Sequence, residues 1–269
     1  MYLIIDDVGS PFIQELKQFN VFIVEYDKVI DNHFNEVYKK EKNRFTIVEG
    51  LNDRKLLFMR SFERFFLLRN LMKLYNLEKC FFLELDNLIY NEPQKMLKHF
   101  SQTKMNVIYN NAHSLSTGLC YVSQSYILEP ILESYINYII KTTDACLSEM
   151  KANYEYHKKT NNLHLLPCYW KDDSVNELAY MNIHENENDL FDAASLGVYF
   201  FGNDPIHGKI VLHTKNRWSD IDYTKEKLYW KTDTDNLKKP YIYSTKTNKE
   251  YLINNLHIHS KIFNQALSK

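Results

Sequence analysis

Glycine and proline are scarce in this chain, six of each among 269 residues. So few backbone-permissive and backbone-breaking positions exclude long flexible linkers and low-complexity segments. The four cysteines (Cys80, Cys120, Cys146 and Cys168) stand far apart, and no two have Cys-x-x-Cys spacing. A zinc knuckle and a dithiol redox pair are excluded, which leaves at least two of them as small residues in apolar runs. A dominant sign of charge is missing too, because 33 basic against 34 acidic side chains give a formal net charge of −1. Binding to nucleic acid requires a basic surface, so nucleic acid is not the expected partner. No apolar run is long enough to span a membrane. The short apolar start, Met1 to Asp7, has neither the length nor the basic residues of a secretory leader. The expected compartment is a reducing cytoplasm.

What remains is ordinary globular composition, 45% hydrophobic and 25% charged, enough for one large domain over 1–269. Aromatic residues are abundant at 14%, led by 20 tyrosines, which suits a packed core or a sugar-stacking surface. Tyr2 to Ile5 reads as a buried strand, Phe12 to Phe19 as a helix and Val21 to Val24 as a second strand. This β-α-β opening predicts an α/β fold with a parallel sheet covered by helices. Asp31 to Arg44 is polar and reads as a loop with a marginal helix. Lys55 to Tyr75 is the strongest predicted helix, with Leu57, Phe58, Phe62, Phe65, Phe66, Leu68, Leu71, Met72 and Tyr75 at helical spacing. Further helices are expected from Pro93, over Tyr126–Ile140 despite Pro130, and over Asp144–Tyr156. Strands are expected near Val107–Tyr109, Leu119–Val122 and Leu163–Leu166.

Cys80 to Tyr90 carries the chemistry. An apolar run, Cys80 to Leu83, leads straight into Glu84 and Asp86 with no turn signal between. In an extended chain, residues two apart point the same way, so both carboxylates are expected on one face at the end of a buried strand. Two such acids repel each other unless a cation lies between them, and hard oxygen donors suit Mg²⁺ or Mn²⁺. A phosphatase strand with an aspartyl nucleophile is a second possibility, although Glu84 stands where the nucleophile would be. A core strand with two solvated acids at its exit is the third. Near the other end, Leu256-His257-Ile258-His259-Ser260-Lys261 puts His257 and His259 on one face of a strand. Imidazole ligates borderline divalent ions, and Lys261 offers a point charge to a phosphate. Histidines in such a place are also commonly solvated or packed.

These stretches, with Ser61-Phe-Glu-Arg64-Phe and the run from Phe191-Asp192-Ala-Ala-Ser-Leu-Gly197 to Gly202-Asn-Asp-Pro205, resemble GT-A nucleotide-sugar glycosyltransferases of the small bacterial and giant-virus type. The resemblance implies a Rossmann-related, mostly parallel sheet flanked by helices. It departs from the family at the front, where Tyr2 to Asp7, the helix after it and Val21 to Val24 look like the second of the usual strand–helix units, as expected of a late start, a fragment or a base pocket built otherwise. It implies a Mn²⁺ or Mg²⁺ cofactor, a UDP-linked sugar donor, a glycan or protein acceptor, and a host-cytoplasmic or virion location if the chain is viral. Carried over residue by residue, Glu84, Asp86, His257 and His259 are the expected metal ligands, with His259 preferred to His257 and Glu84 acting through water or on the sugar. Arg64, Glu84, Thr117, Gly118 and Lys261 are the expected donor contacts, with the sugar lying over the Ser116-Thr117-Gly118 turn. Asp192 is the expected general base, with Asp144 and Glu149 behind it. A non-catalytic nucleotide-sugar-binding or carbohydrate-binding protein on the same fold is the alternative.

Overall fold

The computed structural model describes residues 1–6, 12–45, 56–111, 113–144, 147–168, 188–201, 227–234, 236–245 and 248–258. In chain order these form β1 (Tyr2–Ile5), α1 (Phe12–Lys17), β2 (Phe22–Glu25), α2 (Asn32–Glu41), α3 (Leu57–Leu74), β3 (Cys80–Leu83) and β4 (Asn87–Ile89). There follow α4 (Pro93–Met96), β5 (Met105–Asn111), β6 (Ser114–Ser116), β7 (Leu119–Val122), α5 (Glu129–Lys141), α6 (Glu149–Thr160) and β8 (Leu163–Leu165). The last are β9 (Asp189–Leu190), α7 (Ser195–Phe201), β10 (Lys227–Thr232), β11 (Lys238–Ser244), β12 (Lys249–Ile253) and β13 (Asn255–His257). The chain makes two compact units, each drawn from two stretches: Met1–Cys80 with Ser123–Ala152, and Phe81–Val122 with Asn153–Lys269.

The first unit is built on α3. Of its predicted apolar face, Phe62, Phe65, Phe66, Leu68, Leu71 and Met72 are buried, Phe58 is half-buried, and Leu57 and Tyr75 at the two ends are exposed. Phe62 is fully buried and meets Phe45 and Tyr135 edge-on, with ring centroids 6.1 and 5.1 Å away. α3 ends in a turn of left-handed backbone at Asn76 (φ 51°), where Leu77 N–H donates to the Met72 carbonyl at 2.9 Å. Glycine usually fills such a position. Here every described non-glycine residue with positive φ is an asparagine (Asn20, Asn76, Asn161, Asn236 and Asn248), which fits a chain with few glycines. β1 and β2 pair in parallel, as the β-α-β opening predicts. α2 is a full helix rather than a marginal one, because the Asp31 carboxylate caps it by accepting from Phe34 N–H at 2.8 Å. Pro130 falls in the first turn of α5, where its missing N–H costs nothing.

The second unit holds small sheets of mixed direction. β5 pairs in parallel with β8 and β9 with β12, whereas β5–β6, β4–β13, β10–β11 and β11–β12 are antiparallel. The fold is α/β, and its described strand pairs do not form the mostly parallel sheet expected from the sequence. Its core is a cluster around Leu190, Leu196, Phe200, Ile242, Tyr251 and Leu256, with Trp230 against it. The β4–β13 ribbon uses this core to orient itself. Leu88 and Leu256, opposite each other, face the cluster, so the side chains of Asn87, Asn255 and His257 share the other face.

Candidate metal centre

β3 stops at Leu83, and Glu84-Leu85-Asp86-Asn87 closes a turn through Asn87 N–H to the Glu84 carbonyl at 3.0 Å. Glu84 and Asp86 therefore converge because the chain bends between them, not because an extended strand alternates. The turn is tied at both ends: Glu84 N–H donates to the Gly118 carbonyl at 2.9 Å, and Ile258 N–H to the Asp86 carbonyl at 2.7 Å. Leu85, at the tip, is 89% exposed.

β13 brings His257 to the same place. His257 Nε2 lies 3.0 Å from Glu84 Oε2 and 3.3 Å from Asp86 Oδ1. Ligand atoms from the three residues all fall within 4.8 Å of one another. Adjacent ligands of an octahedral ion with bonds of ~2.1 Å stand ~3 Å apart, so this spacing suits a small divalent cation. Nδ1, 2.7 Å from the Ala193 carbonyl, can only donate there. That bond leaves Nε2 as the nitrogen presented to the carboxylates. Burial of the ring disfavours the imidazolium, but Asp86 and Asp192 favour it, and on balance the His257 pKa is raised. Glu84 and Asp86 are partly exposed, which leaves the centre open on one side.

Two glycines make room. A Cβ on Gly118 would sit 2.8 Å from Glu84 Oε2 and 3.0 Å from His257 Nδ1. Gly118 thus gives space to the Glu84 carboxylate and the His257 ring, where the family resemblance assigned its space to a sugar. Thr117 beside it is fully buried and offers no side chain to a donor, and Ser116 Oγ accepts from Gly118 N–H at 3.3 Å. A Cβ on Gly197 would lie 2.0 Å from the His257 carbonyl oxygen, so α7 and β13 touch backbone to backbone.

Asp192 does not have the surroundings of a general base. It is 2% exposed, and its carboxylate accepts from Ala194 N–H (3.0 Å), Leu196 N–H (2.9 Å), Gly197 N–H (2.8 Å) and His257 N–H (3.0 Å). All the lone pairs that would take a proton are in use. Burial raises its pKa, opposed by these N–H groups and by His257. Asn255 holds its backbone on both sides, accepting from Asp192 N–H at 3.1 Å and donating to the Asp192 carbonyl at 2.9 Å. Asn255 also donates to Asn87 Oδ1 at 2.8 Å, and the buried Asn87 Nδ2 meets no hydrogen-bond partner among the described residues. The sequence did not single out Asn87, Asn255 or Gly197's backbone contact.

Arg64 and Asp144 belong to the first unit. Arg64 pairs with Glu149 at 3.0 Å, both largely buried, and its guanidinium lies over Phe65. This ion pair occupies the cation expected for a phosphate and the acid expected in reserve as a base. Asp144 is bound by Lys151 Nζ at 2.8 Å and Tyr138 OH at 2.9 Å, and Lys151 lowers its pKa, which makes it a poor proton acceptor. His259, Lys261 and the Gly202–Pro205 turn lie outside the described residues. No described helix is long and apolar enough to cross a membrane. No protein-family model, curated protein or solved structure matches the chain.

Proposed function

We propose that the chain is a metal-dependent glycosyltransferase, moving a sugar from a nucleoside-diphosphate donor to a hydroxyl of a glycan or protein acceptor. The observation that carries this reading is the meeting of two carboxylates and one imidazole Nε2 within 4.8 Å. Glu84, Asp86 and His257 would hold the ion, and their mixed oxygen and nitrogen donors favour Mn²⁺ over Mg²⁺. When bound, such an ion acts as a Lewis acid toward the charge that grows on a diphosphate leaving group. The chain's own part is positional: the turn supplies the two acids, β13 supplies the imidazole, and Gly118 keeps their common space clear. A GT-A-like arrangement, with a UDP-linked donor beside the acidic turn, belongs to this proposal. It is supported by acids that directly follow β3 and by a late strand, β13, that pairs antiparallel with β4 just beyond them.

One observation favours the alternative of a carbohydrate-binding or nucleotide-sugar-binding protein without turnover. The acid expected to take the acceptor's proton, Asp192, has both oxygens committed to backbone donors. Incubation with Mn²⁺ and a panel of nucleotide sugars separates the two. Release of nucleoside diphosphate, abolished in Asp86→Asn at unchanged thermal stability, is the expected result. Saturable donor binding with no release selects the binding protein. Turnover in Asp86→Asn equal to that of the wild type at saturating Mn²⁺ removes Asp86 from the site.

A further inference from the structure

We propose that Asp192 is the positioning residue of the Glu84–Asp86–His257 centre, fixing both the backbone of His257 and the carbonyl that clamps its imidazole. The inference rests on the metal reading above and goes beyond it, because it assigns the choice of ligand nitrogen to a residue that does not touch the ion.

An imidazole on a short strand has two rotatable bonds and two candidate nitrogens, and each wrong choice takes Nε2 away from the acids. Three contacts remove that freedom. Asp192 Oδ2 accepts from His257 N–H at 3.0 Å, which fixes the peptide from which the side chain departs. Asp192 Oδ1 accepts from Ala194 N–H at 3.0 Å. That N–H belongs to the same planar peptide as the Ala193 carbonyl, so this bond also orients the oxygen that binds His257 Nδ1 at 2.7 Å. The third contact is steric: α7 at Gly197 lies against the His257 carbonyl with no space for a Cβ. One carboxylate therefore holds the imidazole from its backbone end and from its far nitrogen.

The arrangement needs a carboxylate rather than any polar group of the same shape. Four N–H donors converge on Asp192, and an ionised carboxylate has about four lone-pair sites to meet them. Asparagine is isosteric but replaces one oxygen with an amide NH₂, which would face two of the donors and accept from neither. If the NH₂ takes the Oδ1 position the Ala193–Ala194 peptide is released; in the Oδ2 position it releases the His257 backbone. Either way Nε2 is no longer aimed.

The test uses the full chain, wild type and Asp192→Asn, with Asp86→Asn as reference. Mn²⁺ binding is followed by electron paramagnetic resonance. The His257 ring is followed by ¹⁵N NMR with the diamagnetic Cd²⁺. The expected wild-type ring is ligated through Nε2 with the proton on Nδ1. Asp192→Asn should keep the wild-type far-ultraviolet circular dichroism, bind Mn²⁺ about 10–100-fold more weakly, and lose the single tautomer. Affinity and tautomer both unchanged in Asp192→Asn overturn the positioning role while leaving the metal reading intact. If Asp192→Asn does not fold, the wild-type spectrum decides: Nδ1 ligation or a mixture of tautomers overturns the inference, and Nε2 ligation with a hydrogen-bonded Nδ1 proton supports it. A wild-type chain that takes up no Mn²⁺ removes the metal reading and this inference together.

Discussion

At the scale of single residues, the candidate centre is shaped as much by a missing side chain as by Glu84, Asp86 and His257. Gly118→Ala would place a methyl group 2.8 Å from Glu84 Oε2 and 3.0 Å from the His257 ring. The Glu84 carboxylate is the far end of a partly exposed side chain and can swing aside, so the fold should survive. Mn²⁺ affinity measured by titration calorimetry should fall by about tenfold or more, with the unfolding midpoint nearly unchanged. Equal affinity in the two proteins would show that the space at Gly118 does not serve the ligands. Glu84, Asp86 and a late histidine pair were legible in the sequence because they are local patterns, but the sequence favoured His259, which lies outside the described residues, over His257, which stands beside the acids. The reason they meet was not legible. Residues two apart were expected to converge through strand alternation, whereas the chain turns between them. Asp192 was legible as an important acid but not in its part, since its partner His257 stands 65 positions away.

At the scale of elements, α3 shows how a periodic apolar pattern becomes stability. Phe62 is enclosed by Phe45, Tyr135 and Tyr138, contributed by separate stretches of the first unit. Phe62→Ala should cost about 3–5 kcal/mol, read as a shift in the denaturant midpoint, because the rings around it cannot collapse into the void. A cost below about 1 kcal/mol would mean that the aromatic cluster repacks freely. Long periodic elements such as α3 were legible along with their faces. α2 was read too weakly, since its 10 residues bury only Phe34 and Val37 and its start depends on a single capping carboxylate. The mixed sheet directions were not legible, because strand pairing joins residues distant in sequence and nothing in a single strand's pattern names its neighbour.

At the scale of the whole molecule, stability should depend on pH through a buried histidine of α6. His157 is 4% exposed, its Nδ1 meets no partner among the described residues, and burial followed by the nearby Lys104 lowers its pKa below 6.5. The unfolded chain takes up this proton first, so the stabilisation is complete above the ordinary pKa and is lost as pH falls through 6.5 toward the lower folded value. His157→Leu should therefore flatten the decline of melting temperature between about pH 7 and 5. A decline as steep as in the wild type would assign it to other groups. The hydrogen bond from Asn255 to Asn87 spans 168 positions, and it has a consequence for how the chain comes into being. During synthesis the acidic turn leaves the ribosome long before the strand that carries the imidazole. Until that strand arrives, the two carboxylates lie in a turn that lacks the imidazole. On the proposed metal reading, loading of the centre is therefore a late event, since all three groups can hold an ion only once β13 has paired with β4.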